Sequence, residues 1–179
     1  MGAAGGALPF SYQLSGEYQG FDGDPDTTWQ LTDLSLTFVL GSRTKLTVGK
    51  TKETFVYEMV GDAANLPAAE RVLSPFFVSR NTGVRLTHVW GPAKRGTLSL
   101  GLYNDAWDIG AASRRGWDAS ARVTALVWAD PVNDSRYFHF GAAARHVASN
   151  GEMRFRGRPG SNVTDNFVDT SSFAADSSL

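Results

Sequence analysis

The sequence predicts an all-β fold, an antiparallel transmembrane β-barrel segment of about eight strands. Three observations predict it. Apolar and polar residues alternate with a period of two in segment after segment. The connections alternate between short and long, as the two rims of a membrane barrel do, and aromatic residues gather at strand ends. Composition points the same way: 19 glycines and 12% aromatics, with only 20% charged residues, suit strands better than helices. A chain of 179 residues is read as one domain.

The first strand is "FSYQLSGEYQ", with Phe10, Tyr12, Leu14 and Tyr18 on one parity and Ser11, Gln13, Ser15 and Glu17 on the other. The second carries Leu34, Leu36, Phe38 and Leu40, and the third Leu46 and Val48. Val84, Leu86 and Trp90 mark the fourth, and Leu98, Leu100 and Leu102 the fifth. Ala119, Ala121, Val123, Ala125 and Val127 mark the sixth, Phe138, Phe140, Ala142 and Ala144 the seventh, and Met153 with Phe155 the eighth. Short links ("GSR", "GPAK", "ADPVND") follow the even strands, and longer ones follow the first, third and fifth. The seventh link, "VASNG", is short where a long one is due. Trp29, Trp90, Tyr103, Trp107, Trp117, Trp128 and Tyr137 lie at or near strand ends, where a ring with one polar edge suits a headgroup zone.

If the apolar parity faces outward, then Arg85, Arg122, Arg145, Arg154 and Arg156 share the opposite face with Lys45, Thr47, Thr87, Ser99, Ser120, Thr124 and His139. In a membrane barrel that face lines water. Rings of guanidinium and ammonium groups there are the expected lining of an anion pore, because the planar fork grips oxyanions bidentately.

Several chemistries are excluded. "VGKT" at 48–51 suggests a phosphate-binding loop, but the glycine that motif needs falls at Thr44 and no helix pattern follows Lys50. The absence of cysteine removes disulfides and thiolate chemistry. A net charge of −1 argues against a nucleic-acid partner. His88, His139 and His146 lack metal-ligand spacing, Asp105 and Asp108 read as solvated loop carboxylates, and no catalytic constellation is expected. There is no apolar run of transmembrane-helix length. The start "MGAAGGALPF" has neither a basic leader nor the Ser or Thr that myristoylation wants at position 6.

Five segments in order carry a family resemblance: "LTVGKTKETFVYE", "AAERVLSPFFVSRNTGVRL", "GTLSLGLYND", "HFGAAARH" and "MRFRGRPGSNVTDNFVDT". Together they span most of residues 28–170, and the chain resembles the phosphate-selective porin O and P family of bacterial outer membranes. The resemblance implies an internal fragment of a sixteen-stranded barrel, homotrimeric when whole. It would be a passive outer-membrane channel embedded in the lipid bilayer, passing small anions such as phosphate or polyphosphate, with no cofactor, no metal and no catalysis. It also implies that 52–82 is an inward-folded constriction loop and 159–179 a loop or tail. Lys50, Lys52, Arg71, Arg80 and Arg85 are then the candidates for the constriction and its approach. Two alternatives remain open. One is a complete eight-stranded membrane barrel acting as an anchor or adhesin; the other is a soluble β-sandwich or lipocalin-like binder, which would stay in solution without detergent.

Overall fold

The computed structural model describes residues 9–18, 29–60, 80–104, 116–130, 136–148, 151–153, 156–157 and 168–175. Seven strands form one antiparallel sheet in sequence order: β1 (Phe10–Tyr18), β2 (Trp29–Val39), β3 (Thr44–Lys52), β4 (Arg80–Trp90), β5 (Gly96–Asn104), β6 (Trp117–Ala129) and β7 (Tyr137–Ala148). Each strand pairs with its chain neighbour, so the sheet is a meander. The link between β2 and β3 is closed by a hydrogen bond from the Leu40 N–H to the Thr44 carbonyl, 3.0 Å. Between β4 and β5 the chain reverses through Gly91, Ala93 and Lys94, all at positive φ. A single helical turn, α1 (Tyr57–Val60), follows β3.

The ladders place residues of one parity in continuous rows. Phe10 pairs with Phe38, then Leu46, Leu86, Leu100, Ala121 and Ala144 in turn. The next row runs Tyr12, Leu36, Val48, Val84, Leu102, Ala119 and His146. Between them lies a polar row, Thr37, Thr47, Arg85, Gly101, Ser120 and Arg145. Bulges interrupt the register beside Ser15 and Gly16 and between Leu126 and Trp128.

The barrel expectation is corrected. The sheet is open: β1 and β7 are its two edges and do not pair with each other. The expected eighth strand does not extend it either. Its Gly151–Met153 portion is a separate three-residue strand, β8, paired with β11 (Phe173–Ala175). Arg156–Gly157 (β9) pairs with Val168–Asp169 (β10) in a third small ladder. The physical reason is that period-two alternation reports only that a strand has two unlike faces. Whether the ends of a sheet meet depends on strand number, tilt and stagger, which alternation does not encode.

Burial is inverted relative to an ordinary globular sheet. The polar parity is the covered one: Asp33, Ser35, Thr47, Ser99, Asp118 and Ser120 are all buried. The apolar parity is open, with Tyr12 at 79% exposure and Leu36, Val48, Val84, Leu86, Leu100 and Leu102 all exposed. Among the described residues Tyr103 is the one buried residue of apolar or aromatic type, at 2%.

Candidate functional site

The polar face is covered by the chain that leaves β3. Residues 53–60 lie back across it as a strap, and its first residue does most of the anchoring. Glu53 is fully buried. Its carboxylate accepts a hydrogen bond from the Asn81 side-chain amide on β4, and another from Arg145 Nε on β7, at 2.9 Å. Arg145 Nη2 also donates to Asp118 Oδ2 on β6, at 2.6 Å. One guanidinium fork thus ties the strap to two strands through two carboxylates held away from water. Charge-assisted hydrogen bonds of this length are the strong kind, and a buried carboxylate needs such partners because desolvation alone would be costly.

Further contacts continue along the strap. The hydroxyls of Thr54 and Ser120 lie 3.2 Å apart. Arg122 Nη1 donates to the Phe55 carbonyl at 3.1 Å, and its guanidinium sits 5.5 Å from the centre of the Tyr57 ring, within cation–π range. Burial works against the Arg122 charge and lowers its pKa, while the nearby Tyr57 opposes that shift. Arg85 Nη1 donates to the Lys52 carbonyl at 3.2 Å, where strand turns into strap. Toward β1 and β2, Arg80 pairs with Asp33 at 3.0 Å. A polar cavity of about 290 Å³ opens there, lined by Gln13, Asp33, Thr51, Lys52, Arg80 and Arg85.

Tyr103 lies on this face near the end of β5. Gly83 and Gly101 flank it, and a methyl group at either position would run into its ring. The two glycines are therefore the space the ring occupies, the aromatic-over-glycine packing known to support strands. Burial pushes the Tyr103 phenol up from its ordinary pKa, Arg85 opposes that shift and Glu53 adds to it; among the described residues its hydroxyl has no hydrogen-bond partner.

The opposite face carries no exposed charge along its rows from Phe10 to Ala144 and from Tyr12 to His146. Its polar groups pair locally: His88 Nδ1 and the Thr44 hydroxyl are 2.9 Å apart, and the rings of His146 and Trp117 meet at a tilt of 53° with their centres 5.6 Å apart. Bulk is uneven across it. Phe10, Tyr12, Leu36 and Phe38 form a ridge over β1 and β2, with the Phe10 and Phe38 rings 6.3 Å apart. Over β4–β7 a depression of about 620 Å³ is lined by Leu86, Leu100, Leu102, Ala119, Ala121 and Ala144.

Of the residues singled out in the sequence, Arg80, Arg85, Arg122 and Arg145 meet on the polar face. Lys52 ends β3 beside the cavity. Lys50 is buried and lies in the register row of Leu34 and Thr82, which is the apolar parity. Arg71 and Arg154 lie outside the described residues, as do Trp107, Asp105 and Asp108, and for Arg156 only the backbone is described. Sequence reasoning missed Glu53, Asn81, Asp118 and Tyr103. One signal was present: Tyr103 shares its parity with Ser99 and Gly101, so it never belonged with the outward aromatics. Among the described residues no cluster of three or more His, Cys, Asp or Glu could hold a metal ion, and no helix is long and apolar enough to cross a membrane.

Comparison with family models, with curated proteins and with solved structures finds no match for this chain. The porin expectation is therefore corrected on two findings. A channel of that kind needs strands bonded into a closed ring, and here the ring is open between β1 and β7. No relative or fold neighbour supports the resemblance. With it fall the anion-channel role, the outer-membrane location, the bilayer and small anions as partners, and the homotrimer. The small closed barrel and the lipocalin-like barrel fall with closure as well.

Proposed function

We propose that this chain is a non-catalytic assembly module, a sheet that docks an uncharged, apolar protein surface on its outer face. The observation that supports this reading is the inversion of the two faces. The polar face already has its cover, supplied by residues 53–60, and Arg80, Arg85, Arg122 and Arg145 are engaged with carboxylates and carbonyls of the same chain. The apolar face has none among the described residues. Strands about 4.8 Å apart rising about 3.4 Å per residue give seven nine-residue strands roughly 900 Å² in plan. The largest apolar patch on a typical monomer is about 300–600 Å². A face of this size marks a surface meant to be covered.

In this reading Arg80, Arg85, Arg122 and Arg145 are positioning residues that keep the sheet in shape, and no reaction is assigned to them. The test is sedimentation velocity of the full chain without detergent, beside a Leu36→Lys/Leu86→Lys/Leu100→Lys variant. All three positions are exposed, so the substitutions leave strand pairing and the strap intact. The wild type sediments as an associated species and the variant as a monomer with the same far-ultraviolet dichroism. A variant that associates as the wild type does refutes the docking role of this face.

A further inference from the structure

We propose that the partner on this face is a second copy of the chain, seated face to face about a two-fold axis that runs parallel to the strands over β4. The proposal rests on the docking reading and adds to it the partner and its orientation. Three observations carry it.

The first is area. Covering one face of roughly 900 Å² by another matches the ~800 Å² per partner of a stable interface. Two sheets can pack this way at about 10 Å with their strands nearly aligned, as in β-sandwiches. The second is charge. The Phe10 and Tyr12 rows carry no Asp, Glu, Lys or Arg. An isologous contact, in which the same patch meets itself, therefore brings no like charges together.

The third is shape, and it selects the axis. β4 is the middle strand of seven. A two-fold axis parallel to the strands and above β4 lays β1 of one copy over β7 of the other and preserves each row. The Phe10 row ends at Ala144, and the Tyr12 row ends at Ala119 and His146. The aromatic ridge of each copy then enters the alanine-lined depression of about 620 Å³ in the other. The alternative axis, perpendicular to the strands, would set ridge against ridge and depression against depression. Tyr12 at 79% and Phe10 at 63% exposure would collide with their own copies, and the alanines would face a void. Interfaces pack as densely as protein interiors, so the first axis is the one that fits.

The absence of cysteine makes the test direct. Single and paired cysteines are placed on the outer face of the full chain and treated with a bis-maleimide spanning about 10 Å, the separation of packed sheets. Leu86→Cys lies over the axis and crosslinks to its own copy under either orientation. With neither single variant crosslinking, dimer from Phe10→Cys/Ala144→Cys arises only under the proposed axis. Within one chain those two positions are six strand spacings, or about 29 Å, apart, beyond the reagent's reach.

The expected result is covalent dimer from Leu86→Cys and from the Phe10→Cys/Ala144→Cys pair, and none from Phe10→Cys or Ala144→Cys alone. Dimer from either of those singles, or none from the pair, overturns the axis and leaves the docking reading standing. An associated wild type whose Leu86→Cys variant gives no dimer overturns the face-to-face seating of the two copies. A monomeric wild type overturns the second copy as partner, whereas a Leu36→Lys/Leu86→Lys/Leu100→Lys variant that associates as the wild type does overturns the docking reading itself.

Discussion

Replacing Arg145 with alanine is the sharpest perturbation of the polar face. The guanidinium is 16% exposed and serves two carboxylates, Glu53 at 0% and Asp118 at 8% side-chain exposure. Its loss leaves Glu53 with the Asn81 amide as its remaining described hydrogen bond and removes the fork that joins β6, β7 and the strap. Breaking a buried pair by removing one partner costs about 3–5 kcal/mol, because a charge is stranded away from water. Against a total stability of about 5–15 kcal/mol, that is a large fraction. For a chain of this size it lowers the melting temperature by roughly 6–20 °C. The assay is urea denaturation followed by tryptophan fluorescence at fixed protein concentration. Arg145→Lys keeps the charge but not the planar fork, so its loss falls between wild type and Arg145→Ala. A double-mutant cycle of Glu53→Gln with Arg145→Met isolates the coupling between the two side chains. A loss below about 1 kcal/mol for Arg145→Ala, the scale of an exposed ion pair, would refute the claim that this pair anchors the strap.

Other outcomes follow from the same geometry. Gly83→Ala puts a methyl into the Tyr103 ring and the Leu102 carbonyl; the overpacking costs about 1–3 kcal/mol in the same denaturation experiment. Tyr103 has a folded-state pKa raised above its ordinary 10.0, so the stability it lends is fully present below pH 10 and is lost as pH rises through the folded value. Tyr103→Phe therefore flattens the decline of stability above pH 10 in an alkaline titration. Arg122→Met removes the contacts to Phe55 and Tyr57, and limited proteolysis should then cut within 53–60 faster than in wild type while β3 and β4 stay protected.

The strands were legible in the sequence because each has one apolar and one polar parity, and that pattern survives whatever surrounds the sheet. Which face was covered was not. Alternation in "LSLTFVL" or "TLSLGLY" is the same whether the leucines look onto solvent, lipid or another sheet. Rim placement of aromatics misled for a related reason: Tyr103 lies near a strand end yet points to the polar side, into the space left by Gly83 and Gly101. The arginines were visible as a set, but their partners were not. Glu53 and Arg145 are 92 residues apart and meet only because the strap crosses the sheet. Closure was invisible because it depends on how β1 and β7 lie relative to each other, and no local pattern in either strand reports that.

The measurement that bears most directly on the covered apolar face is the rate of maleimide reaction at Leu100→Cys as protein concentration is raised. Leu100 is 45% exposed in the single chain and faces outward. Rapid labelling in dilute solution, falling as concentration rises while strand dichroism stays constant, is the predicted result. A rate that does not change with concentration would contradict the account.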